Sequence, residues 1–206
     1  MRMEIFITNL GKYVEGCLVG QWVKLPVPED KLNDILEQIG INDEYEEYFI
    51  TDYETGFSGL RDVLGEYESI ETLNELAEML EALSSDDEDK LGAILETENY
   101  RNSTDIKELV ERLDEFDLIT DINDDDDLGR YLLDECGVLE VPEYLKSYID
   151  YEAYGRDARL ESNLTYTSYG CLFDNRGKNF CKRSFRRTRA IEELQKICYC
   201  ISVITK

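Results

Sequence analysis

The chain of 206 residues carries 47 acidic and 22 basic side chains and no histidine, so its formal net charge is −25. The lack of histidine excludes a Ser-His-Asp triad, a Cys-His pair and an HExxH zinc site, and no phosphate-binding loop or dinucleotide motif is present, so an enzyme is not expected. An apolar content of 42% with 11% aromatics excludes a disordered acidic tail.

The N-terminal part combines strand and helix signals. Strands are predicted over residues 4–10, 21–25 and 48–53, and a helix over residues 28–39. Pro28 suits the start of that helix and Gly40 its end. These elements predict an α+β domain over residues 1–61.

The middle of the chain changes to a helical period. Helices are predicted from Ser69 onward and over residues 87–96 and 103–116, because apolar residues recur there every three or four positions. Ser103 or Thr104 is the predicted N-cap of the last helix, with Asp105 at its positive end. These helices predict an acidic helical domain over residues 62–103, and the next domain begins at residue 104.

The third predicted domain covers residues 104–170 and is again α+β. Its predicted elements are a strand at 117–122, helices at 128–136 and 142–153, and a hairpin at 164–173. Residues 171–206 form a basic extension of unknown role, with seven basic residues between Arg176 and Arg189. Its end suits either an amphipathic helix from Ile191 or a strand at 199–205, and the pattern does not separate the two.

The charge is distributed unevenly along the chain. Residues 1–170 hold 44 acids and 13 bases, whereas residues 171–206 hold 3 acids and 9 bases. Repulsion among so many like charges destabilises a compact sphere, and an elongated body relieves it. The predicted fold is therefore α+β, an elongated chain of three small domains (α+β, helical, α+β) followed by the basic extension.

Metal binding is not predicted, and neither is a cofactor. Asp121, Asn123 and Asp125 match the first three ligand positions of an EF-hand, but Asp126 stands at the glycine position and Leu132 at the final glutamate position. An acid-rich helix start, favoured by the helix dipole, is the preferred interpretation. The late cysteines at positions 171, 181, 198 and 200 lack a CxxC spacing.

The acidic side chains are the strongest functional pattern. A helical stripe of acids every 5–6 Å is too sparse to match B-DNA, which has one charge per ~3.4 Å on each strand, but several elements side by side match it. The net −31 of residues 1–170 corresponds to about 15 bp of duplex. On charge alone, however, a solvated acidic surface that only maintains solubility is the preferred interpretation, because acidic proteins are common and DNA mimics are rare.

Three stretches resemble the ArdA-type antirestriction proteins, in the family's order. They read IFITNLGKYVEGCLVGQWVKLP (residues 5–26), NDEYEEYFITDYE (42–54) and VPEYLKSYIDYEAYGRD (141–157). The resemblance covers about residues 1–170 and leaves the basic extension unmatched. For that extension, contact with the acidic body, contact with nucleic acid and absence of function all stay open, and the last is preferred.

The resemblance implies a curved, elongated homodimer of three small domains, usually carried on a mobile genetic element. Its carboxylates would mimic the phosphates of bent B-form DNA and occupy the DNA-binding groove of type I restriction–modification enzymes. The dimer contact would map to four tyrosines of the third domain: Tyr144, Tyr148, Tyr151 and Tyr154.

The functional prediction is therefore a non-enzymatic, cytoplasmic DNA mimic that contacts neither a membrane nor, through its acidic body, nucleic acid. The predicted phosphate mimics are Glu44, Glu46, Glu47, Asp52, Glu54, Glu66, Glu68, Glu71, Glu75, Glu78, Asp86, Asp87, Asp124, Asp125, Asp126 and Asp127. Two alternatives remain: an acidic adaptor or chaperone for basic nucleic-acid-binding proteins, and a metal-ion-binding protein that uses carboxylate clusters.

Overall fold

The structure, a computed structural model, describes residues 3–162 and 164–176. The chain divides into two compact units, Met1–Asp114 and a second that begins at Glu115. Within the described ranges, every helix is too short or too polar to cross a membrane.

The first unit contains a three-stranded sheet and six helices. Its elements are β1 (Met3–Asn9), α1 (Leu10–Val14), β2 (Gly20–Lys24), α2 (Glu29–Gln38), β3 (Tyr48–Thr55), α3 (Leu60–Val63), α4 (Ile70–Glu81), α5 (Ser85–Thr97) and α6 (Ser103–Glu111). The sheet is antiparallel in the order β2-β1-β3, so the N-terminal strand lies in its centre.

Alternation along the central strand separates the two faces of this sheet. Ile5 and Ile7 are fully buried, and Ile5 lies opposite buried Val23 in the register with β2. Phe6 points to the other face, where its ring meets Trp22 edge-on at a centroid distance of 5.3 Å. The strand was predicted from its β-rich composition, and the alternation of its side chains between the two faces builds the core.

Helix α4 illustrates how local sequence determines this unit. The hydroxyl of Ser69 accepts the amide N–H of Thr72 and caps the helix. Leu73, Leu76 and Leu80 are fully buried, so the helix faces the core along one stripe.

The predicted N-cap of α6 was wrong: Asn102 caps it by accepting the amide of Asp105, and Ser103 is buried inside the first turn.

The second unit contains another three-stranded antiparallel sheet, packed with two longer helical segments. Its elements are β4 (Phe116–Ile119), α7 (Asp125–Arg130), a π-helical turn (Tyr131–Glu135), α8 (Glu143–Lys146), α9 (Tyr151–Glu161), β5 (Leu164–Thr167) and β6 (Gly170–Asp174). The strand order is β4-β6-β5. Its core includes Leu128, Leu132, Ala158, Cys171 and Phe173.

Two glycines let α7 and α9 approach closely. A Cβ on Gly155 would overlap the carbonyl oxygen of Asp125 and lie 2.8 Å from the amide nitrogen of Gly129. A Cβ on Gly129 would in turn overlap the carbonyl oxygen of Tyr151. The backbones of the two helices therefore touch where each carries no side chain.

The predicted α+β class is confirmed, and so is the hairpin at 164–173. The prediction of a single helix over residues 142–153 was wrong, because α8 ends at Lys146 and α9 begins at Tyr151. The carboxylate of Asp150 caps α9 by accepting the amide N–H of Ala153. Helices α1 and α3 are too short to show a period and were not predicted. The three-domain division, the elongated shape and the role of the basic extension stay predictions, and the helix or strand predicted beyond residue 190 lies outside the described residues.

Candidate functional site

Seven of the predicted phosphate mimics are exposed and have no side-chain partner in the described part of the chain. Their side chains make no hydrogen bond or ion pair with any residue in the ranges 3–162 and 164–176: Glu44, Glu46, Glu47, Glu54, Glu66, Glu71 and Glu78. Asp86 is also exposed and accepts a long hydrogen bond of 3.4 Å from Ser85. An external partner can bind these seven carboxylates without separating a contact to another described residue.

The exposed face of α4 carries three of the predicted acids. Glu71, Glu75 and Glu78 are spaced by three or four residues and all lie opposite the buried leucine stripe. Glu75 differs from the other two because it forms an ion pair with Lys107 of α6. The sequence pattern identified this acidic face but not the lysine that neutralises part of it.

Three further predicted acids pair with neighbouring groups at the surface. Asp52 binds Arg61 at 2.7 Å, and Asp126 binds Arg130 at 2.7 Å. Asp87 accepts from the hydroxyl of Ser84 at 2.8 Å, and this hydrogen bond is the largest cause that lowers the pKa of Asp87. Such exposed pairs cost little to separate, so a basic partner can compete for these carboxylates.

Glu68 has a structural role inside the first unit. Its carboxylate accepts the amide and the hydroxyl of Ser103 at the start of α6, and the amide of Gly65 at 3.2 Å. A carboxylate at this position satisfies free amides and suits the positive end of the helix dipole. Glu68 therefore joins the segment before α4 to the start of α6.

Substitution of Glu68 by glutamine is expected to lower the free energy of unfolding by about 1–2 kcal/mol, because a charged acceptor of several hydrogen bonds is lost. Glu66→Gln, two residues earlier and without a side-chain partner among the described residues, is the matched control and should leave stability within about 0.5 kcal/mol. Urea denaturation of both variants measures the difference. Equal stabilities would contradict the structural role.

The acidic run at the start of α7 forms a helix N-terminus, which is the interpretation that the sequence favoured over an EF-hand loop. Asp124 accepts the amide of Asp127 at 2.9 Å, and Asp127 accepts the amide of Asn123 at 3.1 Å. These carboxylates bind the backbone of their own turn. No group of three or more acids and cysteines suited to a metal ion occurs in the described part of the chain.

Asp125 is the centre of an internal network in the second unit. Arg159 binds its two oxygens at 2.8 and 3.2 Å, and the hydroxyl of Tyr166 donates to it at 2.8 Å. The hydrogen bonds from Arg159, more than any other cause, lower the pKa of Asp125. Asp125 is a charged, satisfied member of the domain, so its main role in the structure is internal.

The four tyrosines predicted at the dimer contact fall into two pairs. Tyr144 and Tyr148 are 75% and 85% exposed. Tyr151 is buried beneath the guanidinium of Arg130, at 4.4 Å from its ring centroid, and burial raises the pKa of Tyr154 to about 12. Only the first pair is strongly exposed; Tyr144 lies in α8, and Tyr148 lies two residues after its end.

A groove lies beside α8. It has a volume of about 470 Å³ and is lined by apolar and charged side chains: Leu133, Asp134, Gly137, Leu139, Glu140, Val141, Pro142 and Lys146. Lys146 binds Asp134 at 3.2 Å and Glu143 at 3.0 Å.

Of the late cysteines, only Cys171 is described; its thiol is buried, which raises its pKa to about 12.

Comparison with known families places this acidic α+β chain among the antirestriction proteins. These proteins are inhibitors of restriction enzymes and are not a known enzyme family. The chain belongs to the family described as Antirestriction protein (ArdA), whose model matches residues 5–173. The sequence-based assignment to this family is thus confirmed. No curated protein matches the chain.

Proposed function

We propose that the chain inhibits type I restriction–modification enzymes by occupying their DNA-binding groove as a mimic of B-form DNA. The observation that supports this mechanism is the set of exposed carboxylates in the first unit whose side chains have no partner among the described residues, added to membership of an antirestriction family. A groove that binds duplex DNA offers Lys and Arg side chains to phosphates, and carboxylates provide the same charge.

The proposed binding energy is spread over many weak contacts. Each exposed ion pair contributes about 0.2–1 kcal/mol, so no single acid is indispensable. Some predicted acids, such as Glu68 and Asp125, already have internal partners. They add to the charge of the surface, but their main contribution is to hold its shape. The mechanism therefore requires many free acids and tolerates the loss of one.

The test is displacement of a fluorescent duplex from a purified type I methyltransferase core by the full chain, at salt concentrations from about 50 to about 200 mM. Displacement should occur at low salt and weaken as salt rises, because ions compete for both charged surfaces. An adaptor for basic proteins would bind such proteins without displacing the duplex. Absence of displacement at low salt would contradict the mimic and favour the adaptor.

We also propose that the chain forms a homodimer through the surface of α8, since Tyr144 and Tyr148 are exposed there beside a groove lined by apolar and charged side chains. Tyr148→Ser should convert the dimer to a monomer in sedimentation equilibrium, because an aromatic contact at an interface is worth more than its polar replacement. Tyr67→Ser is the matched control, since Tyr67 is 73% exposed in the other unit. A monomeric parent chain, or equal masses for the parent and Tyr148→Ser, would refute this contact.

We place the activity in the cytoplasm, because the proposed target acts on DNA that has entered the cell. Fractionation of cells that express the chain tests this location, and recovery in the membrane fraction would contradict it.

A further inference from the structure

Three aromatic side chains form a row on the first unit, here called the aromatic row: Tyr13, Phe49 and Tyr67. The rings of Tyr13 and Phe49 meet edge-on at a centroid distance of 5.1 Å, and those of Phe49 and Tyr67 stack at 6.2 Å. Phe49 is buried, whereas Tyr13 is 51% and Tyr67 73% exposed. The buried ring therefore supports two exposed tyrosines.

Backbone hydrogen bonds hold the three segments that carry the aromatic row. The amide of Leu10, at the start of α1, donates to the carbonyl of Glu47 at 3.0 Å. The amide of Ile50 in β3 donates to the carbonyl of Glu66 at 2.8 Å. Because Tyr13 lies on α1, Phe49 on β3 and Tyr67 directly after Glu66, the rings are positioned before any partner binds.

Acidic side chains belong to the same three segments. Glu47 and Glu66 are exposed, and Glu15 follows Tyr13 by two residues and accepts the hydroxyl of Tyr45 at 3.0 Å. An aromatic surface among acids repels a second copy of the same chain and repels nucleic acid. It complements a basic protein surface, whose Lys and Arg side chains can also pack on the faces of tyrosine rings.

We infer that the aromatic row is an anchor that binds inside the basic DNA-binding groove of the restriction enzyme. The inference rests on the proposed function and adds to it a contact made by aromatic rings rather than by carboxylates. Interface energy is usually concentrated in a few aromatic and arginine residues, and surrounding weak contacts exclude water from them. The free acids guide the approach and depend on salt, while the two tyrosines supply binding that persists at higher salt.

The test compares two double variants of the full chain in the duplex-displacement assay with the type I methyltransferase core. Tyr13→Ser with Tyr67→Ser should weaken displacement by about 10- to 30-fold and leave the salt dependence unchanged. Tyr13→Phe with Tyr67→Phe keeps the rings and should displace the duplex nearly as well as the parent chain. Leu160→Ser removes an apolar side chain that is 70% exposed in the second unit, and serves as the matched control.

Three outcomes would overturn the inference. The first is that the double serine variant displaces the duplex as well as the parent chain does. The second is that the double phenylalanine variant or Leu160→Ser loses displacement to the same extent as the double serine variant. A changed mass of the double serine variant in sedimentation would assign the aromatic row to contact between copies. Failure of the parent chain to displace the duplex would contradict the proposed function itself, so the two failures are distinguishable.

Discussion

Neutralising four exposed glutamates of the first unit is expected to weaken displacement of duplex DNA about 30-fold. The substitutions are Glu46→Gln, Glu47→Gln, Glu66→Gln and Glu71→Gln, at side chains without a partner among the described residues. At about 0.5 kcal/mol for each exposed charge, four amount to about 2 kcal/mol, and 1.4 kcal/mol corresponds to a tenfold change. Each single substitution should weaken displacement only about twofold. The duplex-displacement assay at low salt measures both effects.

A matched control separates the arrangement of charge from its total amount. Helix α2 also carries four exposed acids that lie outside the predicted mimic: Glu29, Asp30, Asp34 and Glu37. Their joint conversion to amides changes the net charge by the same amount and should weaken displacement by less than about fivefold. Equal losses for the two quadruple variants would show that binding follows net charge alone, and would contradict the role of the predicted acids as an arranged mimic.

The largest expected effect on stability comes from Gly155→Ala, which should lower the free energy of unfolding of the second unit by at least about 3 kcal/mol. The added Cβ would overlap the backbone of Asp125, which cannot rotate away as a side chain can. Helix propensity alone favours alanine over glycine by about 1 kcal/mol, so a loss of stability isolates the contact between α7 and α9. Denaturant unfolding followed by circular dichroism measures it.

Gly56→Ala provides the control for this substitution, because a Cβ there would meet no atom within 4 Å. It should change the free energy of unfolding by less than about 1 kcal/mol. A Gly155→Ala variant as stable as the parent chain would mean that the two helices do not touch at these glycines. Gly155 lies in the third stretch that resembles the family, so at least this position of the stretch is explained by packing.

Local patterns predicted the elements that depend on neighbours in the chain. The apolar stripe that includes Leu73, Leu76 and Leu80 sufficed to predict α4, because its period is a local signal. The break between α8 and α9 was missed although Asp150 is a favourable N-cap. The apolar residues Ile149 and Tyr151 continue the helical pattern through it and hid that signal.

The division of the acids into free and internally bound ones was not predictable from the sequence. Asp125 binds Arg159 and Tyr166, which lie 34 and 41 positions away, and Glu68 binds Ser103, 35 positions away. In the sequence, these two acids resemble their free neighbours. Similarly, nothing local showed that Tyr151 is buried while Tyr148, three residues earlier, is exposed. These distinctions arise from tertiary packing, which brings distant segments together.

If the chain mimics DNA, it and duplex DNA compete for one groove, and a competition titration measures this competition. The apparent dissociation constant of the full chain for a type I methyltransferase core is measured as the duplex concentration rises. The DNA-mimic account predicts that this constant increases in proportion to the duplex concentration, without limit. A constant that reaches a plateau would show that the enzyme holds the chain and the duplex together, and would contradict the account.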